Sequence, residues 1–351
     1  MSTELSGRIV FSSGKQGDYD VWMLDLDGSR LVQLTHGDFW NDKPRWSPDG
    51  RWVVFVSNVR GTPNIYKVPG DGGEMVPLVE DDRWNDFPAF SPDGRQLGYV
   101  SNRSGNNDLW IADAEGGNPR QVTTYQGDDN SFCWMPDGQS VLFSSDRSGN
   151  CDIWRLDLAS GEKHQLTTDA GMDVHPAPGP DGRLIAFVSN RQFDPGAGRD
   201  EWADRDQDIW VMTASGKHPV RITSNQNSDR CVAWSPCGRF ILYASIDSGS
   251  AERLRIVDVS DLIAAYQTDD HDCIQRTAGR LRSFSLKLER AALEAEIDAG
   301  RHPFFLTSLL PDFLVRPFYG EEYFGSERYP DWIAANGLKT QTLQTAAGKA
   351  T

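Results

Sequence analysis

The sequence predicts an all-β fold, a six-bladed β-propeller closed by a C-terminal strand and followed by a short helical and irregular C-terminal extension. Three observations carry this. Turn signals recur as Ser47-Pro48-Asp49-Gly50, Ser91-Pro92-Asp93-Gly94, Met135-Pro136-Asp137-Gly138, Gly179-Pro180-Asp181-Gly182 and Ser235-Pro236-Cys237-Gly238, at intervals of 44, 44, 44 and 56 residues. A period near 44 means blades or a solenoid. Between the turns the apolar residues come in short β-rich runs without helical periodicity, which selects blades over a helical solenoid. The 33 Gly and 19 Pro in 351 residues supply the turns that many short strands need.

Each element follows in order along the repeat. A short strand A ends at the Pro-Asp-Gly turn, and strand B is the apolar run after it, such as Trp52-Val53-Val54-Phe55-Val56 or Ser140-Val141-Leu142-Phe143-Ser144. A polar turn follows, Ser101-Asn102-Arg103-Ser104-Gly105 or Ser145-Asp146-Arg147-Ser148-Gly149, and then an Asp and an aromatic open strand C. Strand D reads Arg120-Gln121-Val122-Thr123 or His164-Gln165-Leu166-Thr167. One strand C position holds Tyr66, Trp110, Trp154, Trp210 and Leu254, and stepping back one period reaches Trp22. Residues 7–37 therefore form a blade with strands B, C and D but no strand A. A ring must close to remove its edges, so the missing strand is expected from the C-terminal region, at Phe304 to Leu310 or Phe313 to Phe318. The propeller is assigned to residues 1–280 and the extension to 281–351, with a helix at about 285–299 starting on Ser285 and ending before Gly300, and a disordered polar tail.

The segments SPDGR, SNRSGNNDLW, SDRSGNCDIW and RQVTT resemble the PD40, WD40-like repeats of TolB-type propellers, over residues 7 to 280. The resemblance implies a non-catalytic scaffold that engages a protein or peptide partner at its channel face. The same repeat also occurs in the propellers of prolyl-oligopeptidase-like peptidases and in oligogalacturonate lyases. No Gly-x-Ser-x-Gly elbow is present, so the peptidase version lacks its nucleophile. The lyase resemblance implies axial His ligands for a metal, and only His175 falls at a channel-lining position; His175 and Arg230 would then be the catalytic residues. The alternative reading is accordingly a carbohydrate-active or sugar-binding propeller using an axial divalent cation.

A residue type present in every blade serves the fold, whereas a position that varies yet stays polar near the axis can serve a ligand. Trp22, Trp46, Trp110, Trp134, Trp154, Trp210 and Trp234 are core by this criterion, and Arg103, Arg147 and Arg191 bridge turns. The informative segment precedes strand A: Trp40-Asn41-Asp42-Lys43, Trp84-Asn85-Asp86-Phe87, Asp128-Asp129-Asn130-Ser131, Met172-Asp173-Val174-His175 and Ser228-Asp229-Arg230-Cys231. Two readings stand. Each Asp caps its own loop backbone, or Asp42, Asp86, Asp129, Asp173 and Asp229 form a ring that raises its own pKa values or recruits a cation, calcium or manganese being the candidates. Trp40 and Trp84 beside that ring suit a sugar or a cationic side chain, and Lys43, His175 and Arg230 differ between blades and so are the candidates for specificity.

An insertion of 12 residues near Gln192 to Gln207, with Trp202 inside it, interrupts a B-to-C connection and is expected over one mouth of the channel, either as a lid or docking loop or as a tolerated surface insertion with no role. Asp204, Asp206 and Asp208 have alternate spacing, but Ile209 and Ser215 stand where a calcium loop needs Gly and Glu. With 51 acidic against 35 basic residues the net charge is -16, which disfavours nucleic acid and anionic membranes as partners. Cys133, Cys151, Cys231, Cys237 and Cys273 form no CxxC pair and read as reduced thiols. With no basic and apolar leader in MSTELSGRIVFSS, the chain as it stands is assigned to the cytoplasm, or to the periplasm if it is a mature form.

Overall fold

The computed structural model describes residues 7–15, 18–26, 30–191, 207–223, 228–246, 252–285 and 331–333. Within them the strands form six four-stranded antiparallel sheets, one per blade. Blade 2 is representative: strand A is Asn41–Trp46, B is Trp52–Ser57, C is Asn64–Pro69 and D is Val76–Val79. The repeated turn ends strand A because Ser47 Oγ donates to Asp49 Oδ1 at 2.6 Å and accepts from the Trp52 N–H at 2.9 Å, while Gly50 takes a φ of 68° that its missing Cβ permits.

Blade 1 contains strands Arg8–Lys15, Asp18–Asp25 and Leu31–Gln33, the B, C and D elements expected of residues 7–37. Its inner strand is Asp331–Ile333, which pairs antiparallel with the first strand in the register Val10↔Asp331, Ile9↔Trp332 and Arg8↔Ile333. Closure by a C-terminal strand is thus observed, but later in the chain than the two stretches proposed from sequence, which lie outside the described residues. Of the helix expected at about 285–299, the first residue, Ser285, instead ends a strand, Ser283–Ser285, and the rest lies outside the described residues.

The apolar faces explain the ring. Six clusters of buried side chains lie between successive blades, and the last joins Phe240, Leu242 and Ile256 of blade 6 to Ile9, Leu24 and Leu26 of blade 1. Strands buried on both faces read as near-continuous apolar runs, as in Val53–Val56 and Ile185–Val188, all of them buried. Trp134 and Trp234 add directional contacts, their indole N–H groups donating to the Ala89 and Ala177 carbonyls of the preceding blades at 3.1 and 2.9 Å. Trp22, Trp46, Trp134, Trp210 and Trp234 are buried, while Trp110 and Trp154 are half-buried.

Two short helices that the sequence reading missed sit between strands C and D of blade 6. They are α1 (Ser260–Tyr266) and α2 (His271–Ala278), followed by strand D at Ser283–Ser285. Asp270 caps α2, accepting from the N–H groups of Asp272 and Cys273. Leu262, Ala265, Ile274 and Ala278 pack into the cluster that joins blades 5 and 6.

Candidate functional site

Antiparallel order places the start of every strand A, the B-to-C turns and the D-to-A connections on one face. The turns and connections are tied together there. Asn58 and Asn102 accept from the Trp40 and Trp84 N–H groups at 2.7 and 3.0 Å, and Asn150 donates to the Asp169 and Gly171 carbonyls, both at 2.9 Å. The repeat Asp that opens strand C is a structural link: Asp108 accepts from Thr123 and Gln121 of strand D, and Asp152 from Thr167 and Gln165. Asp208 belongs to the same set, accepting from Thr223 and Arg221. Asp204 and Asp206 lie outside the described residues.

The inner strands of blades 2 to 6 carry a β-bulge at the same place, between Asp42 and Arg45, Asp86 and Ala89, Asn130 and Cys133, Val174 and Ala177, and Arg230 and Ala233. A bulge leaves a residue unpaired and re-aims its side chain. Here the residue is left-handed in all five blades, with φ of 55° at Lys43, 50° at Phe87, 58° at Ser131, 51° at His175 and 58° at Cys231. Pro44, Pro88 and Pro176 follow it, tolerated because no ladder hydrogen bond is needed there. Three of these side chains meet across blades. Lys43 Nζ lies 3.9 Å from the Phe87 ring centre, and the Phe87 and His175 rings, from blades 3 and 5, meet at 5.8 Å.

The five carboxylates proposed as one ring occupy two different repeat positions. Asp129 and Asp173 align with Asn41 and Asn85, one residue before the position of Asp42 and Asp86, and neighbouring strand residues face opposite ways. Accordingly Asp129 accepts two hydrogen bonds from Arg147, at 2.6 and 2.7 Å, and Asp173 accepts one from Arg191 at 2.7 Å. The guanidiniums of Arg103, Arg147 and Arg191 also lie on aromatic pairs, Tyr99 with Trp110, Phe143 with Trp154, and Phe187 with Trp210. Asp229 and Arg230 are buried in the all-buried strand Ser228–Trp234, and Asn130 is half-buried, its side-chain oxygen accepting from Asn107. Among the described residues no three His, Cys, Asp or Glu side chains come together as a metal site. Trp202 lies outside the described residues, as does the insertion of residues 192–205.

What the structure does bring together is a floor at blades 2 and 3. Lys43 Nζ donates to Asp86 Oδ2 at 2.6 Å with both side chains buried, and the Trp84 indole N–H donates to the same oxygen at 3.3 Å. Asp42 Oδ1 accepts from the Lys43 N–H, while its Oδ2 is buried without a hydrogen bond of normal geometry. Burial pushes the Asp42 carboxyl up to about 7, against the pull of the Lys43 charge and the Ser12 hydroxyl. Asn41 Oδ1 is also buried and unbonded, because Val59 stands where blades 3 to 5 place an arginine. Above this floor Trp40 and Trp84 are half-buried. The signal that could have found the contact across blades is the repeat alignment itself, which sets Lys43, Phe87, Ser131, His175 and Cys231 in one column.

Residues 78–196 match a family model described as the TolB beta propeller domain, PD40. A protein of Agrobacterium fabrum described as uncharacterized is 46% identical over 35 residues, a stretch covering 10% of this chain and 12% of that protein. TolB from Acinetobacter baumannii superposes with a TM-score of 0.62 at 23% identity, over 73% of this chain and 62% of that one, so the likeness spans less than two thirds of its length. A putative TolB from Agrobacterium tumefaciens gives 0.60 at 20% identity, over 81% of this chain and 90% of that one. No described helix is long and apolar enough to cross a membrane, and nothing in the fold supports the cytoplasmic assignment. Period, closure and blade packing agree: the chain is a six-bladed β-propeller similar in fold to TolB propellers, with residues 78–196 matching the PD40 family model.

Proposed function

We propose that the protein is a non-catalytic binding propeller that engages a protein or peptide partner on the face where the D-to-A connections and B-to-C turns meet. The observation that carries this is the contact across the axis. Buried Lys43, Phe87 and His175, from blades 2, 3 and 5, meet there, and a ligand on that face would find them beside half-buried Trp40 and Trp84. Broad, aromatic-bearing surfaces suit polypeptide partners. Similarity to TolB proteins agrees with the reading at the level of fold.

A photo-crosslinking side chain placed at Arg83, exposed on this face, should give partner adducts in cells, whereas one at Gln139, exposed on the opposite face, should not. Adducts from position 139 alone would overturn the assignment. The sugar-active reading rests on the tryptophans beside carboxylates, and predicts unsaturated product from uronate polymers that is lost in His175→Ala.

A further inference from the structure

Blades 3, 4 and 5 each hold an arginine in the same seat on the channel face. Its Nε donates to a serine of strand B, Arg103 to Ser101 at 3.1 Å, Arg147 to Ser145 at 2.8 Å and Arg191 to Ser189 at 3.1 Å. Its Nη2 donates to the first residue of strand A, Asn85 Oδ1 at 3.3 Å, Asp129 at 2.6 Å and Asp173 at 2.7 Å. The guanidinium carbon lies 4.6 to 5.5 Å from the centres of two rings. These arginine side chains stay 20, 13 and 9% exposed, so each seat opens to solvent. Blade 2 keeps the same parts. Asn41 pairs with Ser57, and Phe55 with Tyr66, whose ring centres are 6.3 Å apart. The arginine alone is replaced, by half-buried Val59, which packs against the cluster containing Tyr66. Arg60 beside it does not fill the place, being 72% exposed and turned toward Glu80 at 3.7 Å.

Asn41 is wholly buried, and its Oδ1 has no hydrogen bond. The amide nitrogen fixes where that oxygen points. It donates to Asp20 Oδ1 at 3.3 Å and to the Phe39 carbonyl at 3.5 Å, as Asn85 Nδ2 donates to Asn64 Oδ1 at 2.7 Å and to the Arg83 carbonyl at 3.2 Å, at the equivalent positions of the next repeat. Asn41 Oδ1 therefore aims where Asn85 Oδ1 meets Arg103. Ser57 is set as Ser101 is, each Oγ accepting the N–H two residues on at 3.3 Å. We propose, on the footing of the face assigned above, that the seat of blade 2 receives the guanidinium of an arginine presented by the partner. It enters where Val59 meets solvent, takes the place of that side chain against Tyr66, and donates to Asn41 Oδ1 and Ser57 Oγ. A buried acceptor without a donor is unfavourable, and the incoming group relieves it. The planar fork that bonds at two points while stacking on rings is a property of arginine that lysine lacks. Carboxylates adjoin the seat, Asp20 through Asn41 and Glu80 through the Tyr66 hydroxyl, which donates to it at 2.6 Å.

The test uses the full chain titrated with the peptide acetyl-Gly-Arg-Gly-amide at physiological salt, read by saturation-transfer NMR. Saturable binding is expected, with the lysine and citrulline twins of the peptide weaker by about tenfold or more. Val59→Arg, which seats an arginine within the chain, should melt about 1 to 3 °C above wild type and weaken the peptide about tenfold. Val59→Ala leaves the seat open and should keep the binding. Asn41→Asp, which gives blade 2 the carboxylate of blades 4 and 5, should tighten it about tenfold. A Val59→Arg chain that melts lower or does not fold would show that blade 2 accepts no guanidinium, and would overturn the inference. So would equal binding of the lysine twin, no binding of the arginine peptide, a loss in Val59→Ala equal to that in Val59→Arg, or an affinity unchanged in Asn41→Asp. Adducts from position 83 that Val59→Arg does not reduce would sink the arginine inference and leave the face assignment standing. Arginine binding that Val59→Arg abolishes, with no adducts from position 83, would do the reverse.

Discussion

At the scale of single residues, the inner strands show how one repeat position can be structural in some blades and left over in another. Arg147 neutralises Asp129 and Arg191 neutralises Asp173, whereas blade 2 replaces the pair by Asn41 and Val59. The chain thus contains its own test. Arg147→Val should cost about 3 to 5 kcal/mol, because Asp129 is left charged and buried, and adding Asp129→Asn should restore most of it in chemical denaturation. Asp42 makes a second prediction. Its folded pKa, about 7, lies above the unfolded value of 3.8, so it contributes stability that is full below about pH 4 and lost as pH rises to about 7. Asp208, raised to about 6 by burial, adds in the same direction. Melting of Asp42→Asn across pH 4 to 8 should therefore lack part of the decline seen in wild type; parallel curves would refute the buried, unpaired state of Asp42. These pairings were only half legible beforehand. The repeat marked Arg103, Arg147 and Arg191 as bridging residues, but the assumed carboxylate ring merged two positions that differ by one residue, and in a strand one residue is the difference between opposite faces.

At the scale of elements, strands B and C and the Pro-Asp-Gly turns were legible because turn chemistry and apolar runs are local. The left-handed bulge was not, since Lys43, Phe87, Ser131, His175 and Cys231 have no side-chain property in common; what they share is a positive φ at the register shift between strands A and B of their own blades. Helices α1 and α2 were missed for a related reason. Each is a turn or two long, too short for periodicity to stand out, although Asp270 two residues before Asp272 and Cys273 was a capping signal. Blade packing yields a further prediction. Gly98, in strand B of blade 3, faces Phe132 of blade 4 so closely that a Cβ would lie 2.1 Å from the ring. Gly98→Ala should lose about 1 to 3 kcal/mol through overpacking, and Phe132→Leu in the same chain should recover part of it. A neutral Gly98→Ala would show that the two blades can slide apart at no cost.

At the scale of the whole molecule, six clusters between successive blades, the last one joining blade 6 to blade 1, make the ring a closed sequence of equivalent interfaces. Its weak point is the pairing of Asp331–Ile333 with Arg8–Val10, in the one blade assembled from distant parts of the chain among the described residues. Ending the chain before residue 331 should bare the Arg8–Lys15 strand as an edge, and such an edge invites intermolecular pairing. Lower melting temperature and light scattering on heating are the expected readouts, and an unchanged monomer with unchanged melting would show that the short strand Asp331–Ile333 is dispensable. The same closure sets a timetable for biosynthesis. Blade 1 is translated before the other five yet obtains its innermost strand more than 300 residues later, so at about 5 to 20 residues per second the nascent chain carries an incomplete blade for tens of seconds. Five blades can assemble as they emerge from the ribosome. The circle itself is completed only after Asp331–Ile333 has left the ribosome.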